Sequence, residues 1–436
     1  MPSASAGRRP AGPYRALLTV PLFRRLMPLF LLSDLGDGLS TVAVAWLALD
    51  LAPGGDGTLA GAALVAYTLP GAVAAPLLGR LLRRLPAARL LAADALLRAV
   101  LLGAVPLLHA AGLLTPVRYL LLLGASSLLH AWGRAGKHAV FAPVLTGDLR
   151  LAANSAVSTG VWGATVLGPA LAGLLVRAVP AAWVIGLDAL TFAALAARTL
   201  RLPAAPAEPA APAGPAAVAD RGGAARVLFG SPELLGLLAV TWAFNLAYGP
   251  VEAALPAFVA HGLGGGPALL GGYWAAFGAG AVLGALGTGL ARRLPLWPAL
   301  LGIVAAHGLA MLPFALTAGP VPSLLGFALA GVAYGPYSAL SLTIVQDRSP
   351  ARALTGVLAA RSALLVLASP LGTALGTVLL ARTGARALLV GSGGAMVLTA
   401  AAGGFALAVR RGRGRQGSGA GRFRSESGTA LSGEAG

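Results

Sequence analysis

Twelve apolar runs, each close to the ~20 residues that a helix needs to cross a bilayer, leave this chain of 436 residues little choice of fold. They lie at 26–50, 58–80, 90–114, 119–145, 151–176, 181–200, 234–260, 267–291, 296–318, 321–345, 354–381 and 386–409. Inside lipid every backbone N–H and C=O must be satisfied within the protein, which a helix does alone. The composition agrees, with 57% hydrophobic and 11% charged residues, far from the balance of a soluble domain. The expected fold class is therefore an all-α membrane protein with twelve transmembrane helices, called spans 1 to 12 below.

A formal net charge of +18 would suggest nucleic acid in a soluble chain, but these arginines sort by side. Arg8, Arg9, Arg15, Arg24 and Arg25 precede span 1, and Arg80, Arg83, Arg84 and Arg89 follow span 2. Others of the same parity are Arg150, Arg198, Arg201, Arg221, Arg226, Arg292, Arg293, Arg348 and Arg352, with a basic tail from Arg410 to Arg424. The opposite loops hold Arg118, Arg177, Arg382 and Arg386. Positive loops stay in the cytoplasm, so both termini are expected there, in a multi-pass protein of the cytoplasmic (inner) membrane. The basicity is topology, and no nucleic-acid partner is expected. There is no cysteine, hence no disulfide or thiolate metal site, and the first apolar run, with Asp34 and Asp37 and no cleavage site after it, is not a removable signal.

From Pro203 the chain turns rich in Pro and Ala, a composition that cannot bury a core. The expected domains are a cytoplasmic segment 1–25, a six-helix bundle 26–202, a linker 203–232, a second bundle 233–409 and a disordered basic tail 410–436. The bundles resemble each other in parallel order, since Arg83-Arg84-Leu85-Pro86 after span 2 recurs as Arg292-Arg293-Leu294-Pro295 after span 8.

Within each bundle the spans specialise with a period of three. Small residues four apart, which share one helical face, mark spans 2, 5, 8 and 11; span 5 reads Ala152, Ala156, Gly160, Ala164, Gly168, Ala172. Such rows let membrane helices approach closely. The span 5 row ends in Gly168-Pro169-Ala170-Leu171-Ala172-Gly173, where the proline removes a backbone donor and permits a bend. Gly160, Gly168, Pro169 and Gly173, with Pro370 of span 11, are expected to form the seam along which the two halves pack and rock. A kinked packing helix with no moving part is the plainer alternative.

Polar stripes mark spans 1, 4, 7 and 10. They comprise Asp34, Asp37 and Thr41; His130, Arg134, Lys137 and His138; Thr241, Asn245, Tyr248 and Glu252; and Tyr334, Tyr337, Ser338 and Ser341. A charge at a helix centre costs about 2.5–3.5 kcal/mol to insert, so these residues are expected to face a protein-lined cavity. The candidate cavity set is Asp34, Asp37, Arg134, Lys137, His138, Asn245, Tyr248, Glu252, Tyr334, Tyr337 and Arg361, around a central cavity between two bundles. Ion pairs that merely lock the bundle are the competing reading. Lys137 is the sole lysine.

Several segments together resemble the major facilitator superfamily over about residues 20–409, in particular its twelve-helix enterobactin-exporter-like and macrolide-efflux-like branch. They are Ser33-Asp34-Leu35-Gly36-Asp37-Gly38, Ala93-Asp94-Ala95-Leu96-Leu97-Arg98-Ala99, the stretch Asp148 to Asn154, Gly168 to Gly173, Asp188-Ala189-Leu190-Thr191-Phe192, and Gly249-Pro250 with Leu255-Pro256. The resemblance implies a monomeric secondary transporter, not an enzyme, that uses no cofactor. It would export an amphipathic drug, antibiotic or siderophore against protons. The family's loop after span 2 usually carries Gly-x-x-x-Asp-Arg-x-Gly-Arg-Arg; here its acidic position is Arg83 and its second glycine Pro86. The expected cytoplasmic gate is Arg83, Arg84, Asp94 and Arg98, the last two forming an ion pair near the cytoplasmic end of span 3.

Other classes were weighed on the residues. Gly136-Lys137-His138 is no phosphate loop, lacking the upstream glycine and the Ser or Thr. Asp34-x-x-Asp37 could bind Mg2+ in an embedded enzyme, but no second acidic motif faces it. An importer or facilitator of a metabolite or lipid, or a scaffold or sensor on the same fold, stays open. Span 1 and span 4 suggest the coupling device: approach and separation of Asp37 and the cations Arg134 and Lys137 would load and release a proton.

Overall fold

Proline opens spans 1, 4, 7 and 10 at Pro21, Pro116, Pro232 and Pro320, where its missing N–H costs nothing and its fixed φ suits the first turn. Thr115 and Ser231 cap spans 4 and 7 by accepting from the backbone N–H of Arg118 and Leu234. The computed structural model describes residues 13–52, 54–82, 85–145, 147–202, 226–227, 230–287, 295–316 and 319–429. Span 1 is Pro21–Leu51, span 2 Thr58–Leu82, span 3 Ala87–Ala110, span 5 Gly147–Ala178 and span 6 Ala181–Thr199. In the second half, span 7 is Pro232–Ala257 with a π-turn Phe258–Gly262, span 8 Pro267–Gly287, span 9 Leu296–Leu309 and span 11 Ala351–Thr383. The last helix runs Ala385–Thr429, past the expected end of span 12 at 409 and into the stretch expected to be disordered. Arg83, Arg84 and most of the linker lie outside the described residues.

Among the described residues eleven helices are long and apolar enough to cross a membrane. The twelfth run, span 4, is broken. It comprises Pro116–Ser127 and His130–Ala139, and residues 140–145, expected as helix, are turns. Span 10 breaks at the corresponding place, between Pro320–Tyr334 and Tyr337–Arg348. Both spans were expected to be continuous. Gly335-Pro336 explains the second break, because proline clashes with the preceding turn; at Leu128-Leu129 no such breaker exists, and tertiary packing overrides local preference.

The contacts between spans repeat from one half to the other. Span 1 packs on spans 5 and 6, span 2 on span 4, and span 3 on span 6; span 7 packs on 11 and 12, span 8 on 10, and span 9 on 12. The halves join chiefly through span 5 with span 8 and span 11 with span 2, and span 7 also meets span 2. This is the parallel repeat read from the loops after spans 2 and 8, realised as a pseudo-two-fold.

The small-residue rows divide their work. A Cβ at Gly168 would strike Gly38, and one at Gly38 would lie 2.9 Å from the Gly168 Cα, so spans 1 and 5 cross there backbone to backbone. The counterpart crossing is Gly249 of span 7 on Gly372 of span 11. Gly160 lies against Leu31 and Met27 of span 1. Gly160 and Gly168 therefore pack their own half and not the seam between halves, because the four-residue row faces span 1. Gly173 does lie at that seam: its Cβ would come 2.9 Å from the Cα of Gly271 in span 8, and the carbonyl of Pro169 meets Gly271 from the same turn. Pro370 lies within the unbroken helix of span 11.

The seam has a polarity. Gly57 against Ala257, Gly61 against Thr377 and Gly173 against Gly271 all lie near the ends remote from the arginine-rich loops. Gly278 against Val166 lies nearer the middle. Toward the arginine-rich end, Gly280 and Gly284 of span 8 turn instead to Ala328 and Val332 of span 10 in their own half.

Candidate functional site

The breaks in spans 4 and 10 bring polar residues to the interior. Helix interruptions at matching places of two repeats mark the binding region of many transporters. In the N-terminal half, Lys137 in the second piece of span 4 donates to Asp34 Oδ1 at 2.5 Å and to Ser33 Oγ at 3.0 Å. Its ammonium lies 5.6 Å from the Phe30 ring centroid. Both charges are buried, and Asp34 Oδ2 has no partner among the described residues. Removing one member of such a pair strands the other, which explains why a lone lysine is held here.

A second hub centres on Arg98, which is 1% exposed. Its Nη2 donates to Asp37 Oδ1 and to the Tyr67 hydroxyl, and its Nη1 meets His130 Nδ1. Tyr67 donates to Asp37 Oδ1 at 2.9 Å. The guanidinium is sandwiched by rings, 4.4 Å from the Phe192 centroid and 5.2 Å from that of Tyr67. Spans 1, 2, 3, 4 and 6 thus converge on one cation. This corrects two expectations. Arg98 does not pair with Asp94 at a cytoplasmic gate, because Asp37 offers a carboxylate across the bundle; and Asp37 pairs with Arg98 and not with Arg134, which is exposed. Asp94, one turn before Arg98, is buried on Gly133 with Oδ1 unpartnered. His138 is exposed with Nδ1 3.4 Å from Asn154 Oδ1.

In the C-terminal half the equivalent place is aromatic. The register that superposes Arg83-Arg84-Leu85-Pro86 on Arg292-Arg293-Leu294-Pro295 carries Arg98 onto His307. The crossings Gly38–Gly168 and Gly249–Gly372 carry Asp37 onto Tyr248, and the restarts of spans 4 and 10 carry His130 onto Tyr337. His307 is fully buried among rings, with centroids at 5.3 Å for Phe244, 5.9 Å for Tyr248, 6.1 Å for Phe277 and 6.2 Å for Tyr334. Tyr334 stacks on Tyr248 and on Tyr337, each at 6.2 Å. Tyr248 and Tyr334 are half-buried.

Glu252 lies one turn beyond Tyr248 and accepts from Thr373 Oγ1 at 2.9 Å and Ser369 Oγ at 3.2 Å. Arg361 donates to Ser341 Oγ at 3.0 Å. Asn245 donates to the Thr241 carbonyl of its own helix. His130 stood in the span 4 stripe but outside the candidate cavity set, and His307, Phe244, Phe277 and Tyr67 were in neither; these four are single polar or aromatic residues in apolar runs, and only the internal repeat could have singled them out.

Among the described residues no group of three His, Asp or Glu is placed to hold a metal. A cavity of about 710 Å³ lies away from these hubs, at the arginine-poor end, lined by Asp56 of the first half and by Phe258, His261 and Arg386 of the second. There the Asp56 carboxyl is held below its usual range by hydrogen bonds from Thr58, whose N–H donates at 2.9 Å.

A search of curated proteins found no match. Among solved structures, a bacterial homologue of the iron transporter ferroportin in an inward-facing state is 18% identical with a TM-score of 0.66, over 87% of this chain and 97% of that one. The peptide transporter POT gives 16% and 0.65 over 93% and 99%, and a D-xylose–proton symporter 14% and 0.61 over 86% and 96%. At such identities the likeness establishes the fold. The model of the Major Facilitator Superfamily matches residues 26–362, well over half of the twelve-span, twice-repeated bundle described above, and the chain belongs to that superfamily of membrane transporters.

Proposed function

We propose that this protein is a secondary active exporter of an amphipathic small molecule, drug, antibiotic or siderophore, that works by proton antiport and alternating access. The observation that carries this reading is the chemical division of one repeated site. The N-terminal half fills it with Asp37, Arg98, Tyr67 and His130, the C-terminal half with Tyr248, His307, Phe277 and Tyr337. Buried carboxylates beside a cation suit the binding and release of a proton. Stacked tyrosines with hydroxyl tips suit a molecule that is apolar over one face and polar at an edge, and Glu252 one turn away offers a carboxyl group to such a ligand.

The seam supports the alternating-access part of this reading. The halves meet at the arginine-poor end, the side away from the cytoplasm, so this conformation faces inward and is the one that loads cargo for export. Gly173 and Gly271 on one pair of helices, and Gly61 and Thr377 on the other, form the closed end that has to part.

The test is transport in sealed proteoliposomes under an imposed pH gradient, with a panel of amphipathic antibiotics, dyes and siderophores. Export is supported by uphill movement of a panel member that collapses when the gradient is dissipated. Movement of every panel member independent of the proton gradient removes the antiport reading.

A further inference from the structure

The N-terminal half buries two acids that its ion pairs leave without a cation, Asp94 of span 3 and Asp188 of span 6, and the second is the more deeply enclosed. Asp188 of span 6 is 0% exposed. Ser40 Oγ of span 1 donates to its Oδ2 at 2.6 Å, and the backbone of Gly36 packs on its Oδ1 so closely that no Cβ would fit. The interior holds four carboxyls, Asp34, Asp37, Asp94 and Asp188, and two buried cations, Lys137 and Arg98. Lys137 is engaged by Asp34 and Arg98 by Asp37. Burying an unpaired carboxylate is so costly that such a group takes up a proton instead.

The groups facing Asp188 confirm the deficit. Span 1 presents Asp37, another negative charge; span 3 presents Arg98, with Asp94 on the previous turn. Lys137 acts only from across the bundle, and span 5 keeps Asp148, Arg150 and Arg177 in its end turns. Nearby, the Thr191 hydroxyl donates to the Asp188 carbonyl at 2.7 Å and reaches Asp188 Oδ1 only at 3.5 Å, so Ser40 is the one close hydrogen-bond donor to this carboxyl among the described residues. Among the described residues Asp94 Oδ1 and Arg98 Nε also have no hydrogen-bond partner, so the neighbouring polar groups do not make up for the missing cation.

We propose that Asp188 is a proton-binding site: its carboxyl is neutral in this conformation, and Arg98, seated on Phe192 one turn along the same helix, is the cation that exchanges between Asp37 and Asp188. When the guanidinium moves to Asp188, the proton on Oδ1 leaves and the Asp37 carboxylate, now without its cation, receives it. Asp37, whose side chain is 25% exposed, is the member of the pair open to water. The role in transport rests on the antiport reading above; the neutral state of Asp188 does not.

Infrared spectroscopy of the purified protein in nanodiscs at neutral pH tests it without any transport assay. A carbonyl-stretch band of buried, protonated carboxylic acid is expected, with a component that persists in Asp94→Asn and is lost in Asp188→Asn. Ser40→Ala, which removes only a hydrogen bond to Oδ2, should shift that band without abolishing it, and it carries the test if Asp188→Asn does not fold. An Asp188→Asn spectrum identical to wild type, or a band unmoved by Ser40→Ala, overturns the proposal. A protein that shows the band and transports nothing would sink the exporter reading and leave the proton site standing.

Discussion

Arg98 of span 3 and His307 of span 9 occupy the same place in the two halves, one clasped by Asp37, Tyr67 and His130 and the other ringed by Phe244, Tyr248, Phe277 and Tyr334. An internal repeat that keeps its helix crossings but exchanges an ionic centre for an aromatic one has separated two tasks that a single bundle would have to share. Five expected outcomes test that separation and the seam around it.

The aromatic half should govern which molecules bind. Tyr334 stacks on both Tyr248 and Tyr337, so Tyr334→Ala opens a gap in the ladder. Aromatic pairs are worth about 0.5–1.5 kcal/mol beyond burial, so ligand affinity should fall about 2- to 12-fold while the protein stays folded. Binding titrations of a transported dye against wild type and variant measure this, and unchanged affinity would place the cargo elsewhere.

The Asp34–Lys137 pair should be coupled and structural. Breaking a buried pair from one side costs about 3–5 kcal/mol, so Lys137→Ala should lower stability by that order. The double variant Asp34→Asn/Lys137→Met should lose less than the two singles together. Thermal unfolding in detergent gives the cycle, and strictly additive losses would mean that the 2.5 Å contact carries no energy.

The fold was legible because its signals are long and periodic. Apolar runs, arginine sidedness and the rows of glycine and alanine each span a whole helix, so a misjudged residue changes nothing. The site was legible where a charge stood out against lipid, as with Asp34, Asp37 and Lys137. Pairing was not, because Arg98 finds Asp37 across the bundle and not Asp94, the residue four positions away that helical spacing offers. The break at Leu128-Leu129 was also hidden, having no glycine or proline, although its counterpart at Gly335-Pro336 was in plain view. Glycine rows gave the right helices and the wrong partner for Gly168, since a small face says that something approaches and not what.

That distinction separates two glycine substitutions. Gly168→Leu places a side chain into the Gly38 backbone inside one half, and overpacking costs about 1–3 kcal/mol or more, so yield and thermal stability should drop with transport. Gly173→Leu meets Gly271 across the seam. It should leave yield near wild type while it disfavours this closed end and slows turnover. Expression level read beside transport rate tells them apart, and equal losses of yield would remove the assignment.

Because the chain has no cysteine, the seam can be probed against no background. An ideal Cβ on Gly61 would lie 3.2 Å from the Thr377 Cβ, near the span of a disulfide. Gly61→Cys/Thr377→Cys should cross-link under oxidation, arrest transport, and recover on reduction. Efficient cross-linking with undiminished transport would show that these ends never part during the cycle.

Asp37 is where coupling and structure are hardest to tell apart, because one carboxylate both neutralises Arg98 and stays partly open to water. If it carries the proton, Asp37→Asn keeps the shape and the hydrogen bond to Tyr67 but can no longer change charge. Uphill efflux driven by a pH gradient should then vanish while downhill exchange of cargo continues, since exchange needs only the rocking of the halves. If it merely holds Arg98, the variant strands a buried cation, the loss is about 3–5 kcal/mol, and both activities fall together with the folded yield. Arg134→Ala serves as the control, because Arg134 is exposed and Asp37 pairs with Arg98 instead; its effect on coupling should be small beside that of Arg98→Ala. A stable Asp37→Asn protein that still pumps uphill removes Asp37 as the coupling residue and turns the search to Glu252, held by Thr373 and Ser369 in the other half.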